Sequence, residues 1–423
     1  MFKKADWIFN TDVYEVNLRQ YSAAGTINAF AKELPRLKQM GVSTLWFMPI
    51  TPISEKNRKG SLGSQYACSD YTSVGAEYGT LQDFKTLVTT AHGMGFKVIL
   101  DWVANHTGWD HVWTVSHPGY YKFEEGDFKK ASGMDDIIEL DYNNPDMRKA
   151  MIAAMQFWID ECDIDGFRCD LAFWVTLDFW IEARTELEKI KTIFWLAESD
   201  PVDNPTYYQA FDACYTWSWM HKTAEFYNGS QDKKILDEVL KQYNQMAGND
   251  NLFLWFTSNH DENTWNGTEY EKYGNAAEAL AVFSFTWNGI PLIYSGQELP
   301  NLKRLEFFDK DVIEWNGSYA KNDFYKTLLH LHKNHPALRA GERTVGTHVI
   351  HTNADDVLMA YLRKNEDKEV LTILNLSKHN IDCVIEDNRL TGLFKNVFTG
   401  EEIEVHYESH FALQPWAYLV FEK

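Results

Sequence analysis

The stretch Ile164-Asp-Gly-Phe-Arg-Cys-Asp170 decides the fold of this chain, because a buried run ends there in the charged pair Arg168 and Asp170. Three other apolar runs also end in carboxylate-bearing segments, which are Asp101 to His106, Ala197 to Ser199 and Ser258 to Asp261. Strands buried on both faces consist of continuous apolar residues, and parallel strands need crossovers between them. In a closed parallel barrel the carboxyl ends of the strands converge on one face, where active sites lie. We therefore expect these acidic side chains to meet in a catalytic site.

Strand-like and helix-like segments alternate up to about residue 338 and predict an α/β fold, a (β/α)8 TIM barrel with each strand followed by a helix. The predicted strands span residues 12–18, 42–48, 96–101, 164–168, 192–197, 212–217, 252–257 and 290–295. Residues 106–139 lack clean periodicity and predict a short excursion after the third strand. Short strand-like runs separated by turn residues then predict a C-terminal antiparallel β-sandwich. The expected domains are residues 1–105 with 140–338, 106–139, and 339–423.

The chain of 423 residues has a formal net charge of −21, which argues against nucleic acid and anionic lipid as partners. We therefore expect neither a nucleic-acid nor a membrane partner, and the oligomeric state stays open. No apolar stretch is long enough for a signal peptide or a membrane span, and the five cysteines lack Cys-x-x-Cys spacing. These features favour the cytoplasm, with a secreted form whose signal has been removed as the alternative.

Asp170 and Glu198 fit the two carboxyl groups, about 5–5.5 Å apart, that hydrolysis of a glycosidic bond with retention requires. Arg168 lies two residues before Asp170 on the same face of a strand and should favour its ionised, nucleophilic form. Glu198 ends a strongly apolar strand, whose surroundings should raise its pKa and suit a general acid. Taken alone, Arg168 and Asp170 would also fit a structural ion pair.

Three kinds of side chain would surround the sugar ring under attack. Asp261 supplies a third carboxylate that could hold the hydroxyls of a distorted ring and stabilise positive charge on it. His106 and His260 are suited to hydrogen-bond sugar hydroxyls, and Tyr66 could supply a flat face beneath the ring. A single histidine is more often structural, so these roles depend on the four segments lying together.

The four segments resemble, in order and composition, those of glycoside hydrolase family 13, the α-amylase family. The stretch from Gly41 to Pro49 is similar to the family's segment around the second strand, and Gly289 to Glu298 to the one at the eighth. Tyr66, four residues before Asp70, resembles the family's sugar-stacking tyrosine. The resemblance implies a covalent mechanism, with the excursion in place of the family's domain B and the C-terminal β domain in place of domain C.

The resemblance also implies a role for each candidate residue. Asp170 would be the nucleophile, Glu198 the acid/base and Asp261 the transition-state stabiliser. The remaining candidates would line the subsite of the attacked sugar, and they are Tyr66, His106, Arg168 and His260.

The chain departs from the family's pattern after the nucleophile. A Lys-His pair of typical α-amylases is replaced by Phe173 and Trp174, which could form an apolar platform for the leaving sugars or pack in the core. Calcium takes six to eight oxygen ligands, and Asn105 is the only candidate ligand. We therefore expect no cofactor and no metal site.

The favoured function is a retaining hydrolase that acts on α-1,4-glucosidic bonds in α-glucans or maltooligosaccharides. A glucanotransferase or phosphorylase would use the same covalent intermediate and intercept it with a sugar or phosphate. A non-catalytic carbohydrate-binding relative would usually lack one of the three carboxylates, all of which are present. Chain-length preference and endo or exo action do not follow from the sequence.

Overall fold

Parallel strands close into a barrel in the computed structural model of this chain, which describes residues 2–247 and 250–423. The strands stand in chain order around the barrel, and the first pairs with both the second and the eighth. The barrel strands are Val13–Val16, Thr44–Phe47, Lys97–Trp102, Gly166–Cys169, Phe194–Ala197, Ala213–Tyr215, Leu252–Trp255 and Ile290–Tyr294. The predicted strands and the predicted fold class are confirmed.

The barrel strands are buried along their length, Lys97 excepted, because both of their faces are covered. Alternate side chains such as Trp46, Ile99 and Leu254 pack together inside the barrel. Neighbouring positions such as Leu45 pack outward in the core between the strands and the helices. This two-sided burial explains the continuous apolar runs in the sequence.

Helices cover the outside of the barrel and continue into the connections at its ends. They are Leu18–Tyr21, Ile27–Phe30, Leu34–Met40, Leu81–Gly93, Val112–Ser116, Pro145–Cys162, Leu177–Leu187, Trp217–Tyr227, Lys234–Met246, Glu269–Tyr273, Ala277–Thr286 and Asn322–Asn334. The expectation of a helix after every strand is wrong at the fifth strand, which is followed by the short 3-10 turn Pro205–Gln209. The connection from Glu198 to Asp212 is too short for an α-helix of ordinary length.

The excursion after the third strand contains two short antiparallel strand pairs and the helix Val112–Ser116. His106–Gly108 pairs antiparallel with Ile137–Glu139, and Phe123–Glu124 pairs with Asp127–Phe128. The first pair fixes His106 at the start of the excursion, just beyond the carboxyl end of the third barrel strand. The predicted boundaries of the excursion and of the other domains stay predictions.

The C-terminal part consists of antiparallel sheets. One sheet has the spatial order Gly346–Val349, Leu358–Asn365, Lys368–Asn375, Tyr418–Glu422, Gly392–Asn396, Glu402–Val405, and a second pairs Ile381–Val384 with His410–Leu413. The sequence did not predict the strands at 346–349, 392–396, 402–405 and 410–413, because most of their residues are at least partly exposed and they lack an apolar run. Tyr361 joins this part to the barrel by a 2.6 Å hydrogen bond with Thr286 and an edge contact with Trp287.

Within residues 2–247 and 250–423, no helix has the length and apolar character needed to cross a bilayer.

Asp165 ties three elements together just before the fourth barrel strand. Its carboxylate accepts hydrogen bonds from His92 Nε2 at 2.7 Å, Lys97 Nζ at 3.0 Å and the Val98 backbone N–H at 3.0 Å. Burial alone would raise the pKa of Asp165, but the His92 hydrogen bond and the charges of Lys191 and Lys97 lower it to about 2. The ionised carboxylate therefore stabilises the fold.

Asp165→Asn should lower the free energy of unfolding at pH 7 by about 2 kcal/mol, because a shift of one pKa unit corresponds to about 1.4 kcal/mol. The folded pKa lies below the ordinary value, so the stabilisation is complete above about pH 4 and is lost as the pH falls toward 2. Thermal denaturation at pH 7 and pH 3 measures this difference. Asp163→Asn, with a side chain that is 70% exposed, is the control and should change stability little. A loss that is equal at both pH values would contradict the account.

Candidate active site

The acidic segments meet at the carboxyl ends of the barrel strands, as the sequence predicts. Asp101 lies on the third strand, Asp170 directly follows the fourth, Glu198 follows the fifth and Asp261 lies beyond the seventh. Asp101, Asp170 and Glu198 are buried, whereas 35% of the Asp261 side chain is exposed. The site is therefore a buried carboxylate cluster that opens to solvent beside Asp261.

Arg168 is the centre of this cluster and is completely buried. Its Nη1 donates to both carboxylate oxygens of Asp101, at 2.9 and 3.1 Å, and to Asp170 Oδ1 at 3.1 Å. Its Nη2 forms an ion pair with Glu198 Oε2 at 2.9 Å, and its Nε donates to the Tyr215 hydroxyl at 3.1 Å. Asp170 and Glu198 thus lie on neighbouring nitrogens of one guanidinium.

The pKa of Asp170 is shifted in the direction opposite to the one expected from its pairing with Arg168. Burial, followed by the negative charge of Glu198, raises the pKa of Asp170 well above its ordinary range, and Arg168 opposes this only in part. Burial also raises the pKa of Glu198, in the expected direction. The carboxyl groups of the cluster outnumber the nearby cations, which favours a protonated carboxyl group among them.

Asp170 and Glu198 each have one carboxyl oxygen that could carry a proton. Asp170 Oδ1 accepts from Arg168, and its Oδ2 has no hydrogen-bond partner among the described residues. Glu198 Oε2 accepts the Leu171 backbone N–H at 2.7 Å, which leaves Oε1 available for a proton. With the proton on Glu198, Asp170 has a free anionic oxygen, which is the state that a nucleophile and a general acid need.

A buried chain of hydrogen bonds lies beside this pair. Glu15 Oε1 is 2.5 Å from His260 Nδ1, and His260 Nε2 is 2.8 Å from the Tyr66 hydroxyl. The Tyr66 hydroxyl donates to Asp101 Oδ2 at 3.0 Å. This series of hydrogen bonds therefore ends at the carboxylate that Arg168 also binds. Asp261 and Glu15 raise the pKa of His260 well above its ordinary value, although burial opposes this. His260 is therefore protonated at neutral pH.

Sequence reasoning missed two members of the site. Glu15 has no assigned role in the sequence pattern, and Asp101 was noted only as the start of a segment. The available signal for Glu15 was a charged residue between Tyr14 and Val16 on a fully buried strand, a position that is costly for a carboxylate without a partner.

Tyr66 and His106 occupy positions that suit contact with a sugar. The Tyr66 ring is stacked with His260 at a centroid distance of 5.3 Å and with Phe307 at 6.2 Å. His260 and Phe307 are only 6.5 Å apart, so they do not cover opposite faces of Tyr66. Burial lowers the pKa of His106 to about 4, and its Nε2 has no partner among the described residues. His106 is thus neutral, with one ring nitrogen available to a ligand.

Asn105, the calcium-ligand candidate of the sequence, makes two local contacts. The Asn105 amide lies 3.3 Å from His106 Nδ1, and its backbone carbonyl accepts the Leu140 N–H. In the described ranges, no group of three or more His, Cys, Asp or Glu side chains has a metal-binding arrangement. The absence of a metal cofactor stays a prediction.

Phe173 and Trp174 lie in a 3-10 turn immediately after the nucleophile strand. Their side chains are 48% and 36% exposed, which contradicts the core-packing alternative. Leu171, just before the turn, donates its N–H to Glu198 Oε2, and Ala172 donates its N–H to the Glu198 backbone carbonyl, so the backbone of this turn lies beside Glu198.

Comparison with known proteins identifies a family. The family described as "Alpha amylase, catalytic domain" matches residues 9–136 and 120–341. Among curated proteins, Alpha-amylase 2 of Dictyoglomus thermophilum is 23% identical over 411 residues, covering 92% of this chain and 69% of that protein. The maltogenic alpha-amylase of Bacillus acidopullulyticus is 24% identical over 412 residues, covering 90% and 67%. The chain spans about two thirds of the length of these relatives.

Solved structures show the same architecture. A noncanonic maltogenic alpha-amylase from Thermotoga neapolitana superposes with a TM-score of 0.89 at 28% identity and covers 98% of both chains. An alpha-amylase from Lactobacillus plantarum gives a TM-score of 0.85 at 28% identity, covering 98% of this chain and 99% of that one.

Glu15→Gln should lower the pKa of His260, because the variant removes one of two carboxylates that stabilise the imidazolium. NMR titration of the imidazole nitrogens measures this, with His260→Gln assigning the signal. Glu298→Gln is the control, because this buried carboxylate binds Tyr14 and Arg36 instead. An unchanged His260 pKa in Glu15→Gln would refute the ion pair.

Proposed function

This chain belongs to the alpha-amylase family, and we propose that it hydrolyses α-1,4-glucosidic bonds in α-glucans or maltooligosaccharides with retention of anomeric configuration. The observation that carries the proposal is the placement of Asp170 and Glu198 on adjacent nitrogens of the Arg168 guanidinium. One guanidinium thereby holds two carboxyl groups close together, as a retaining mechanism needs.

In the first step, an Asp170 carboxylate oxygen attacks the anomeric carbon while Glu198 donates its proton to the leaving glycosidic oxygen. The bond to the leaving sugar breaks as the bond to Asp170 forms. In the second step, Glu198 takes a proton from water, the water oxygen attacks the anomeric carbon, and Asp170 leaves as a carboxylate. Two inversions give net retention.

The other site residues bind and polarise the ring. Asp261 lies beside protonated His260, 3.3 Å from its Nε2, and its carboxylate is suited to stabilise positive charge on the ring. The Asn105 amide nitrogen donates to His106 Nδ1, so the neutral imidazole carries its proton on Nε2 and can donate a hydrogen bond to a sugar hydroxyl oxygen. Tyr66 presents its ring beneath the sugar and is fixed by Asp101 and His260.

The relatives' names support the substrate class. Those named above are an alpha-amylase and a maltogenic alpha-amylase, and a cyclomaltodextrinase of a Bacillus species is 22% identical over 395 residues. The exposed rings of Phe173 and Trp174 favour a platform for leaving or acceptor sugars. Because a bound acceptor sugar can replace water, glucanotransfer is the alternative use of the same intermediate.

Anomer-resolved NMR of the products of maltohexaose tests the proposal. Shorter oligosaccharides that appear first as the α-anomer are expected. Products longer than the substrate would favour the transferase. Glucose 1-phosphate formed in phosphate buffer would favour the phosphorylase, and the β-anomer would contradict the proposed mechanism.

Glu198→Gln should lower the rate of maltooligosaccharide cleavage by about 10²-fold or more, because the leaving sugar then lacks its proton donor. Fluoride is a good leaving group that needs little protonation, so the initial burst of fluoride from α-maltosyl fluoride should fall much less. Stopped-flow fluoride release and chromatography of maltohexaose products compare the two. Glu186→Gln, on an exposed helix position, is the control. Equal fractional losses on both substrates would argue against the acid role.

We further propose that activity does not depend on calcium, because Asn105 is the single ligand candidate in the sequence pattern and Trp174 stands where typical α-amylases carry a histidine. Dialysis against a strong chelator should change neither turnover nor melting temperature, since a bound ion would stabilise the native state. A fall in either quantity that calcium restores and magnesium does not would overturn this proposal.

A further inference from the structure

A run of aromatic rings leads from the attacked-sugar site to the surface. Phe307 stacks with Tyr66 at a centroid distance of 6.2 Å, and Trp265 contacts Phe307 at 5.2 Å. Trp265 is 52% exposed and Phe307 is half-buried. Large exposed aromatic faces are costly in water, and their apolar area suits a flat ligand such as a sugar ring.

The position of Glu198 indicates which end of a bound substrate the Phe307 and Trp265 rings would face. Glu198 protonates the leaving oxygen, so the leaving sugars lie on its side of the site, next to Phe173 and Trp174. The attacked ring would lie between Glu198 and the Tyr66–His260 stack. Phe307 lies beyond the eighth strand and packs with Met48, Tyr66 and Val103. The eighth strand stands opposite the fourth, which Phe173 and Trp174 follow, so Phe307 and the neighbouring Trp265 lie across the barrel mouth from that turn, toward the substrate's non-reducing end.

The segment that carries Trp265 is rigidly held. It is the π-helical turn Glu262–Asn266, which directly follows Asp261, and such turns are frequent at functional sites. The Asn263 amide donates to the Lys303 carbonyl at 3.1 Å, and its oxygen accepts the Leu305 N–H at 2.9 Å. The Thr264 hydroxyl donates to the Leu305 carbonyl at 2.7 Å. These bonds fix the loop of Phe307 against the turn of Trp265.

The other side of the turn is anchored as well. Lys272 Nζ forms a buried ion pair with Glu262 at 2.6 Å, and Asn266 donates to the same carboxylate at 2.8 Å. Burial would raise the pKa of Asp261, but His260, then Arg168, and a hydrogen bond from the Trp265 side chain lower it, so the indole N–H faces that carboxylate. The orientation of Trp265 is thus set from both sides, and part of its ring stays exposed.

We propose that Trp265 and Phe307 form the binding face for the glucosyl unit next to the attacked ring on its non-reducing side. The assignment rests on the proposed function and adds a preference to it, since donors with two glucosyl units gain a contact that single-unit donors lack. The two residues determine specificity, because they contact the substrate away from the reacting atoms.

The test compares kcat/KM for α-maltosyl fluoride and α-glucosyl fluoride, which have the same leaving group and no leaving sugar. Trp265→Ala should lower the maltosyl-to-glucosyl ratio about tenfold, which corresponds to about 1.4 kcal/mol. Trp265→Phe keeps an apolar ring and loses the indole N–H, so both donors should fall together and the ratio should stay within about threefold of wild type. Tyr407→Ala removes an aromatic ring of similar exposure, 45%, from the C-terminal part and should leave the ratio unchanged.

The outcomes separate this inference from the proposed function. If wild type releases fluoride and Trp265→Ala leaves the ratio unchanged, or weakens both donors equally at an unchanged melting temperature, the binding face is wrong and the hydrolase stands. If wild type releases fluoride from neither donor, the proposed function fails and this assignment fails with it. A selective loss on α-maltosyl fluoride supports both.

Discussion

The site depends on one buried guanidinium. Arg168 is completely enclosed, and it compensates three carboxylates at once, those of Asp101, Asp170 and Glu198. Burying unpaired charges costs several kcal/mol each, so neither the cation nor the anions would be stable there alone. The parallel register pairs Asp101 with Arg168 across the third and fourth strands and Arg168 with Leu196 across the fourth and fifth. Closure of the barrel therefore assembles the charged cluster.

The cluster contains more carboxyl groups than cations, and this excess of negative charge underlies the proposed acid/base chemistry. Arg168 and His260 face more carboxyl groups than they neutralise, and burial together with this excess of negative charge raises the pKa of both Asp170 and Glu198. The Leu171 N–H holds one oxygen of Glu198, and Arg168 holds one oxygen of Asp170. A proton that is available to either group is what alternating acid and base steps require. Burial and this excess of negative charge thus explain both the raised pKa values and the proposed mechanism.

The sequence predicted the barrel and the candidate site well because two-sided burial gives strands continuous apolar runs and leaves their ends free for charged residues. The sequence predicted secondary structure less well where strands are only partly buried. The strands at 346–349 and 402–405 are at least partly exposed at most positions and have no apolar run, and the connection after the fifth strand carries a short 3-10 turn in place of an α-helix. Glu15 was missed because its partner, His260, lies at the other end of the barrel sequence. The raised pKa of Asp170 depends on burial and on the charges of Glu198, Asp101 and Asp261, whose proximity no spacing in the sequence gives.

The most direct measurement is to trap the covalent intermediate and locate it. A fluorinated α-glucosyl fluoride, such as the 5-fluoro donor, lets the glycosyl-enzyme form but slows its hydrolysis, and mass spectrometry of peptic peptides finds the label. The account predicts one added glycosyl unit per chain, on the peptide that contains Asp170 and absent in Asp170→Asn. A label on Glu198 or Asp261, or fluoride turnover with no label on any peptide, would contradict the assignment of Asp170 as the nucleophile.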